Sequence, residues 1–133
     1  MTDQSSARAY RETEILAASP GRLVVITFDG LLAALTRARA GMNARKPDIS
    51  LPALARSREF LGELLAALDR KEGGDLAAKL GNVYVFVLTE LQALGQHPDI
   101  ARLDTSIALI RELRDAFATI EAAGHPAARV AVA

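Results

Sequence analysis

Between Ser19 and Asn43 the apolar residues keep one spacing: Val24, Phe28, Leu31, Leu35, Ala38 and Met42 step by 4, 3, 4, 3 and 4. That is the seam of a helix packed in bundle fashion, and it leaves few folds open. Read locally, the same stretch looks different. "LVVITFDG" (Leu23 to Gly30) is rich in β-branched and aromatic residues and ends in a turn-forming Asp29-Gly30. A strand of that kind would place Asp29 where many α/β enzymes hold a catalytic group. The seam, however, runs straight through it, and a strand ending at Gly30 would have to abandon the register. Ser19 before Pro20 supplies an N-cap and a first helical residue whose missing N–H costs nothing. The helix reading wins.

Three more helices follow on the same argument. The second spans about Leu51 to Arg70, with Leu54, Leu61, Leu64, Leu65 and Leu68 on one side and Ser50 or Asp48 near its start. It is expected to end at Gly73-Gly74, with Asp75 capping the third helix. The third, to about Leu94, carries Leu76, Leu80, Val83, Val87, Leu91 and Leu94. Pro98 breaks the chain at His97, and Asp99 caps a fourth helix reaching Ala123, with Ile100, Leu103, Ile107, Ile110, Phe117 and Ile120 on its seam. Helices of about 20 residues, roughly 30 Å long, joined by short turns, predict an all-α, antiparallel up-down four-helix bundle. The expected organisation is an N-terminal arm over residues 1–18, the bundle over 19–124 and a loose tail over 125–133. The sequence fits a single domain.

The composition excludes much chemistry. There is no Cys, and neither a Gly-rich phosphate loop nor a Gly-x-Ser-x-Gly elbow occurs. A carboxylate-bridged metal centre in a bundle needs Glu on the seams and Glu-x-x-His pairs, and here the seams are aliphatic. His97 and His125 sit beside prolines at helix breaks and read as turn residues. Asp29, one residue beyond Phe28, reads as a structural hydrogen bond or ion pair. No metal, cofactor or catalytic group is expected. No apolar run is long enough to enter a membrane as a spanning helix. Net charge is zero, yet Arg37, Arg39, Arg45, Lys46, Arg56 and Arg58 face only Asp48 between Thr36 and Arg58. Without interleaved aromatics that stretch reads as solvated helix surface rather than a nucleic-acid site.

What is left is surface. Leu23, Thr27, Gly30, Ala34 and Gly41 form a second stripe on the first bundle helix, and Ala77, Gly81 and Leu88 form one on the third. Small residues in a row either make a groove for a partner helix or let neighbouring bundle helices approach, and spacing alone leaves both open. Tyr10, Ile15 and Leu16 stand as isolated apolar residues in the polar arm. They either fray or lie over an exposed stripe until a partner displaces them.

Taken in order, "AY", "ILAASPGRLVVITFDGLL", "GGDLAAKLGNVYVFVLTEL" and "LIRELRDAF" resemble the FliS family of bacterial flagellar export chaperones. The match lies in Tyr10 ahead of Ser19-Pro20, in Leu23 and the Phe28-Asp29-Gly30 element, in Gly73-Gly74-Asp75-Leu76-Ala77 and in the Leu80/Tyr84 pair. Phe28 stands where the family usually has Tyr, and Phe117 where it often has Trp. The resemblance implies a non-enzymatic chaperone in the bacterial cytosol. Its partner would be the disordered C-terminal region of flagellin, kept from polymerising until secretion, with flagellar export-gate components as a second contact. On this reading the partner-binding residues are Tyr10, Ile15, Leu16, Leu23, Thr27, Gly30, Ala34, Ala77, Gly81, Tyr84 and Leu88. Tyr84 would pack at the groove with its hydroxyl partly wet. A monomer or weak homodimer is expected, and the alternative is a helical-bundle adaptor or regulator for another protein.

Overall fold

The computed structural model describes the backbone of residues 2–132 and the side chains of residues 5–10, 12–13 and 18–132. Among the described residues five α-helices run in chain order: α1 (Thr2–Ala17), α2 (Pro20–Asn43), α3 (Pro47–Ala67), α4 (Arg70–Gln96) and α5 (Ile100–Ala122). A 3₁₀ turn, Pro126–Ala131, follows them, and the described residues hold no strand. The chain is all-α.

Helix α2 starts as its sequence dictates. Ser19 is extended, and its Oγ accepts a hydrogen bond from the Arg22 N–H at 3.2 Å. The seam is then buried throughout, with Leu31, Leu35 and Ala38 fully inaccessible. Where α2 stops, Arg45 takes a left-handed φ of 56°, and the Lys46 N–H reaches back to Gly41 O at 2.8 Å. This reversal satisfies carbonyls that the helix end would leave unpaired. Helix α3 then begins at Pro47, four residues before the expected Leu51, with Asp48 in its first turn. Pro52 falls inside the helix, where it lacks a backbone donor, and its residue is exposed.

Two turns place α4 and α5. The α3–α4 turn lies at Leu68-Asp69, ahead of the expected Gly73-Gly74, where the backbone leaves helical geometry a second time. Leu68 is extended and buried, and Asp69 Oδ1 caps α4 by accepting from the Glu72 N–H at 2.9 Å. The glycine pair serves a different purpose: Gly74, at φ 50° and ψ −126°, kinks α4 one turn in, a conformation that side chains resist. Asp75 is exposed beyond that kink, and the capping carboxylate belongs to Asp69. At the other break, Asp99 Oδ1 accepts from the Arg102 N–H at 3.1 Å, as its position after Pro98 suggests.

Polar contacts fix how the helices lie. Ser19 Oγ donates to Glu121 Oε1 at 3.2 Å, Arg114 Nε donates to Asp29 Oδ1 at 2.8 Å, and Arg39 Nε donates to Asp104 Oδ1 at 2.6 Å. The start of α2 therefore meets the end of α5 and the reverse, so the two run antiparallel. Arg102 pairs with Glu90 across the α4–α5 turn. At the centre, Phe28 meets Tyr84 and Phe117, each pair with ring centroids 6.3 Å apart and tilted.

Both chain ends carry secondary structure. Within the expected arm over residues 1–18, residues 2–17 form the helix α1, consistent with the good helix formers Ala7, Arg8, Ala9, Glu12 and Glu14. The tail, expected to be loose, turns at Gly124 and packs back. Ala128 and Ala131 are buried, and Val130 O accepts from the Asp69 N–H at 2.9 Å. Small side chains permit this: a Cβ on Gly73 would lie 3.0 Å from Val130 Cγ1.

Candidate binding surface

Phe28, Leu31 and Leu35 turn the α2 seam inward, which carries Gly30, Ala33, Ala34 and Arg37 to the flank facing α3. There they meet Pro52, Ala53, Arg56 and Phe60 around an open, largely apolar groove of about 440 Å³. The groove exists because its α2 wall is made of small residues. Phe60 lies across Gly30 so closely that a Cβ there would fall 2.7 Å from the ring's Cε1 and Cζ. The Arg56 guanidinium sits 4.2 Å from the Phe60 ring centroid, a cation–π stack, and Arg56 Nη1 donates to Glu59 Oε2 at 2.7 Å.

Of the residues expected to bind a partner, those on α2 do lie at the surface. Gly30 and Ala34 line the groove. Leu23 is 38% exposed, and Thr27 is half-buried with its hydroxyl bonded back to Leu23 O at 2.9 Å. Gly41 is buried where α2 meets the start of α3. The α4 set is a correction. Ala77 and Tyr84 are core residues at 0% and 1% exposure, Gly81 is buried, and Leu88 is half-buried. Packing between bundle helices, rather than a groove, explains the small residues on α4. A Cβ on Gly81 would lie 3.4 Å from Leu68 Cδ1 of the α3–α4 turn. The first half of α4 thus turns Ala77, Gly81 and Tyr84 inward in place of Leu76, Leu80 and Val83, while Val87, Leu91 and Leu94 of the expected seam are buried. Leu76 is 46% exposed and Leu80 half-buried in consequence.

Burial has a chemical effect on Tyr84. Instead of a partly wet hydroxyl at a groove, its phenol is pushed up to about 12 by desolvation. Tyr10 is 75% exposed and covers no stripe in this conformation. Ile15 and Leu16 belong to α1, but their side chains lie outside the described residues. Asp29 makes the structural ion pair expected of it, with Arg114. The Asp104 carboxyl is held below the usual aspartate range, first by its hydrogen bond from Arg39.

Sequence reasoning missed Pro52, Ala53 and Phe60. Arg56 and Phe60 stand four residues apart, a spacing that puts cation and ring together on a helix, and this was the available signal. Among the described residues no cluster of His, Asp or Glu could hold a metal ion. The arrangement offers shape, apolar contact and two cations, the means of holding a helix rather than of moving a proton.

Comparison with known proteins gives the same direction. A family model described as flagellar protein FliS matches residues 2–124. The flagellar secretion chaperone FliS of Vibrio cholerae is 26% identical over 126 residues, covering 92% of this chain and 93% of that protein. Flagellar secretion chaperone FliSB of Pseudomonas aeruginosa is 27% identical over 106 residues, covering 80% and 84%. Flagellar secretion chaperone FliS of Salmonella typhimurium is 26% identical over 125 residues, covering 90% and 93%.

Proposed function

Because the chain belongs to the FliS family of flagellar proteins, we propose that it is a flagellar secretion chaperone whose client is the C-terminal segment of flagellin. It acts in the bacterial cytosol, before the client reaches the export gate, and has no enzymatic step. The observation that carries this reading is the α2–α3 groove. Its floor of Ala33 and Ala34 lets a client backbone approach, Phe60 lies over Gly30 as one apolar wall, and Pro52 supplies another.

The physics suits a temporary holder. A segment that is disordered alone and helical when bound gives up conformational freedom on binding, and this offsets part of the contact energy. Binding can therefore be specific without being permanent. While the groove covers the client's apolar face, that face is denied to other flagellin subunits.

Isothermal calorimetry with a peptide of the flagellin C-terminus from the same bacterium tests the reading. Binding near one to one is expected, with a negative heat-capacity change from buried apolar surface. Ala34→Leu, which fills the groove from α2, should weaken it while the bundle still melts cooperatively, and Gly30→Leu should do so by pushing the Phe60 ring aside. No binding by the unaltered protein would remove the flagellin reading and favour an adaptor for another protein.

A further inference from the structure

The α2–α3 groove has a chemical bias that its shape alone does not explain. Two of its lining residues are cations, Arg37 on α2 and Arg56 on α3, and no acid lines it. The surrounding stretch from Thr36 to Arg58 holds six cations against one Asp, although the whole chain is neutral. Arg39 in that stretch is already engaged with Asp104 of α5. Arg37 has no ion-pair partner among the described residues.

Arg56 is held at the lip of the groove by the Phe60 ring, which fixes the guanidinium's position but satisfies none of its N–H donors. Its one carboxylate, Glu59, stands a helical turn away, and both side chains of that pair are more than half exposed. An exposed pair of this kind is worth little, so a second carboxylate can take the guanidinium at small cost.

We infer that the groove selects an amphipathic client helix carrying a carboxylate beside its apolar face, and that this carboxylate replaces Glu59 on Arg56 while Arg37 attracts it from the facing wall. The inference rests on the flagellin reading for its client and goes beyond it by assigning the charge chemistry of the site. Glu59 is then an internal competitor. It keeps Arg56 paired in the free protein and is released when the client enters.

The test is a calorimetric titration of the full chain with the flagellin C-terminal peptide. A second peptide has its Asp and Glu residues changed to Asn and Gln. Arg37→Glu and Arg56→Glu should each weaken the native peptide by about threefold to tenfold at low salt, and the loss should shrink toward 1 M salt. Glu59→Gln should tighten it by about twofold, an effect that general damage to the surface would not produce. The neutral peptide should be indifferent to all three substitutions. Helicity and melting are measured on each variant, and Arg37→Gln and Arg56→Gln serve if a reversed charge disturbs folding.

The outcomes separate. If the unaltered protein binds the native peptide but no charge substitution changes the affinity, the selectivity inference falls and the flagellin reading stands. If the unaltered protein binds neither peptide, both fall. If a random single-stranded oligonucleotide displaces the native peptide with the same Arg37 and Arg56 dependence, the site is a general polyanion surface and the inference is overturned.

Discussion

Replacing Phe28 by Ala tests the centre of the bundle and the helical reading of its most ambiguous stretch together. The ring is 1% exposed and touches Tyr84 of α4 and Phe117 of α5, so three helices meet on it. Truncating such a ring costs about 3–5 kcal/mol, from lost transfer energy and the cavity left behind. Against a total stability of about 5–15 kcal/mol, this is a large share. For a chain of this size it lowers the melting temperature by roughly 10–20 °C. Phe28→Leu keeps most of the volume and should cost about 1–1.5 kcal/mol. A double-mutant cycle with Phe117→Leu then isolates the ring–ring term, expected at about 0.5–1.5 kcal/mol. Urea and thermal unfolding followed by circular dichroism provide the readout. A loss below about 1 kcal/mol for Phe28→Ala would show that the ring does not sit among three helices, and the packing argument would fail.

Arg45→Gly should raise stability by about 1 kcal/mol in urea titrations, because glycine takes the φ of 56° without the side-chain penalty. Removing residues 125–133 takes away the buried Ala128 and Ala131 and the acceptor for the Asp69 N–H. It should cost roughly 1–3 kcal/mol and speed hydrogen exchange at that amide. Asp104, whose carboxyl is depressed by Arg39, favours the folded state above the ordinary aspartate range and loses that advantage as pH falls through its lower folded-state value. Asp104→Asn should therefore flatten part of the acid limb of a stability–pH curve and leave the neutral-pH curve's shape unchanged.

The sequence was most readable where one local signal and one long-range pattern agreed. On α2 the Ser19-Pro20 cap and the seam pointed to the same helix, and every seam residue is buried. The Asp99 cap of α5 was legible for the same reason. On α4 the two signals diverged. Leu76, Leu80 and Val83 made the stronger hydrophobic pattern. Close approach of Leu65 and Leu68 to Gly81, and of Val130 to Gly73, instead turns the small residues inward. Tyr84 then reaches Phe28, a pairing between residues far apart in the chain that no helical period encodes. The groove was half legible for a related reason. Gly30 and Ala34 show on α2 alone, but a groove needs two walls, and Phe60 becomes its wall only once α3 lies beside α2. The tail was misread because its alanines and valines resemble loose chain until the Gly73 surface they fit is known.

That tail sets an order of events during synthesis. The Asp69 amide, which opens the α3–α4 turn, finds its acceptor in Val130, which is made only after α4 and α5. Helices α2 and α3 are in contact through their short turn and can pair while the chain is still growing. The pole where α3 turns into α4 cannot be sealed until the stretch around Val130 has been made. A ribosome stalled before Val130 would thus hold a chain with α2 to α5 made and one end of its interior still open to water.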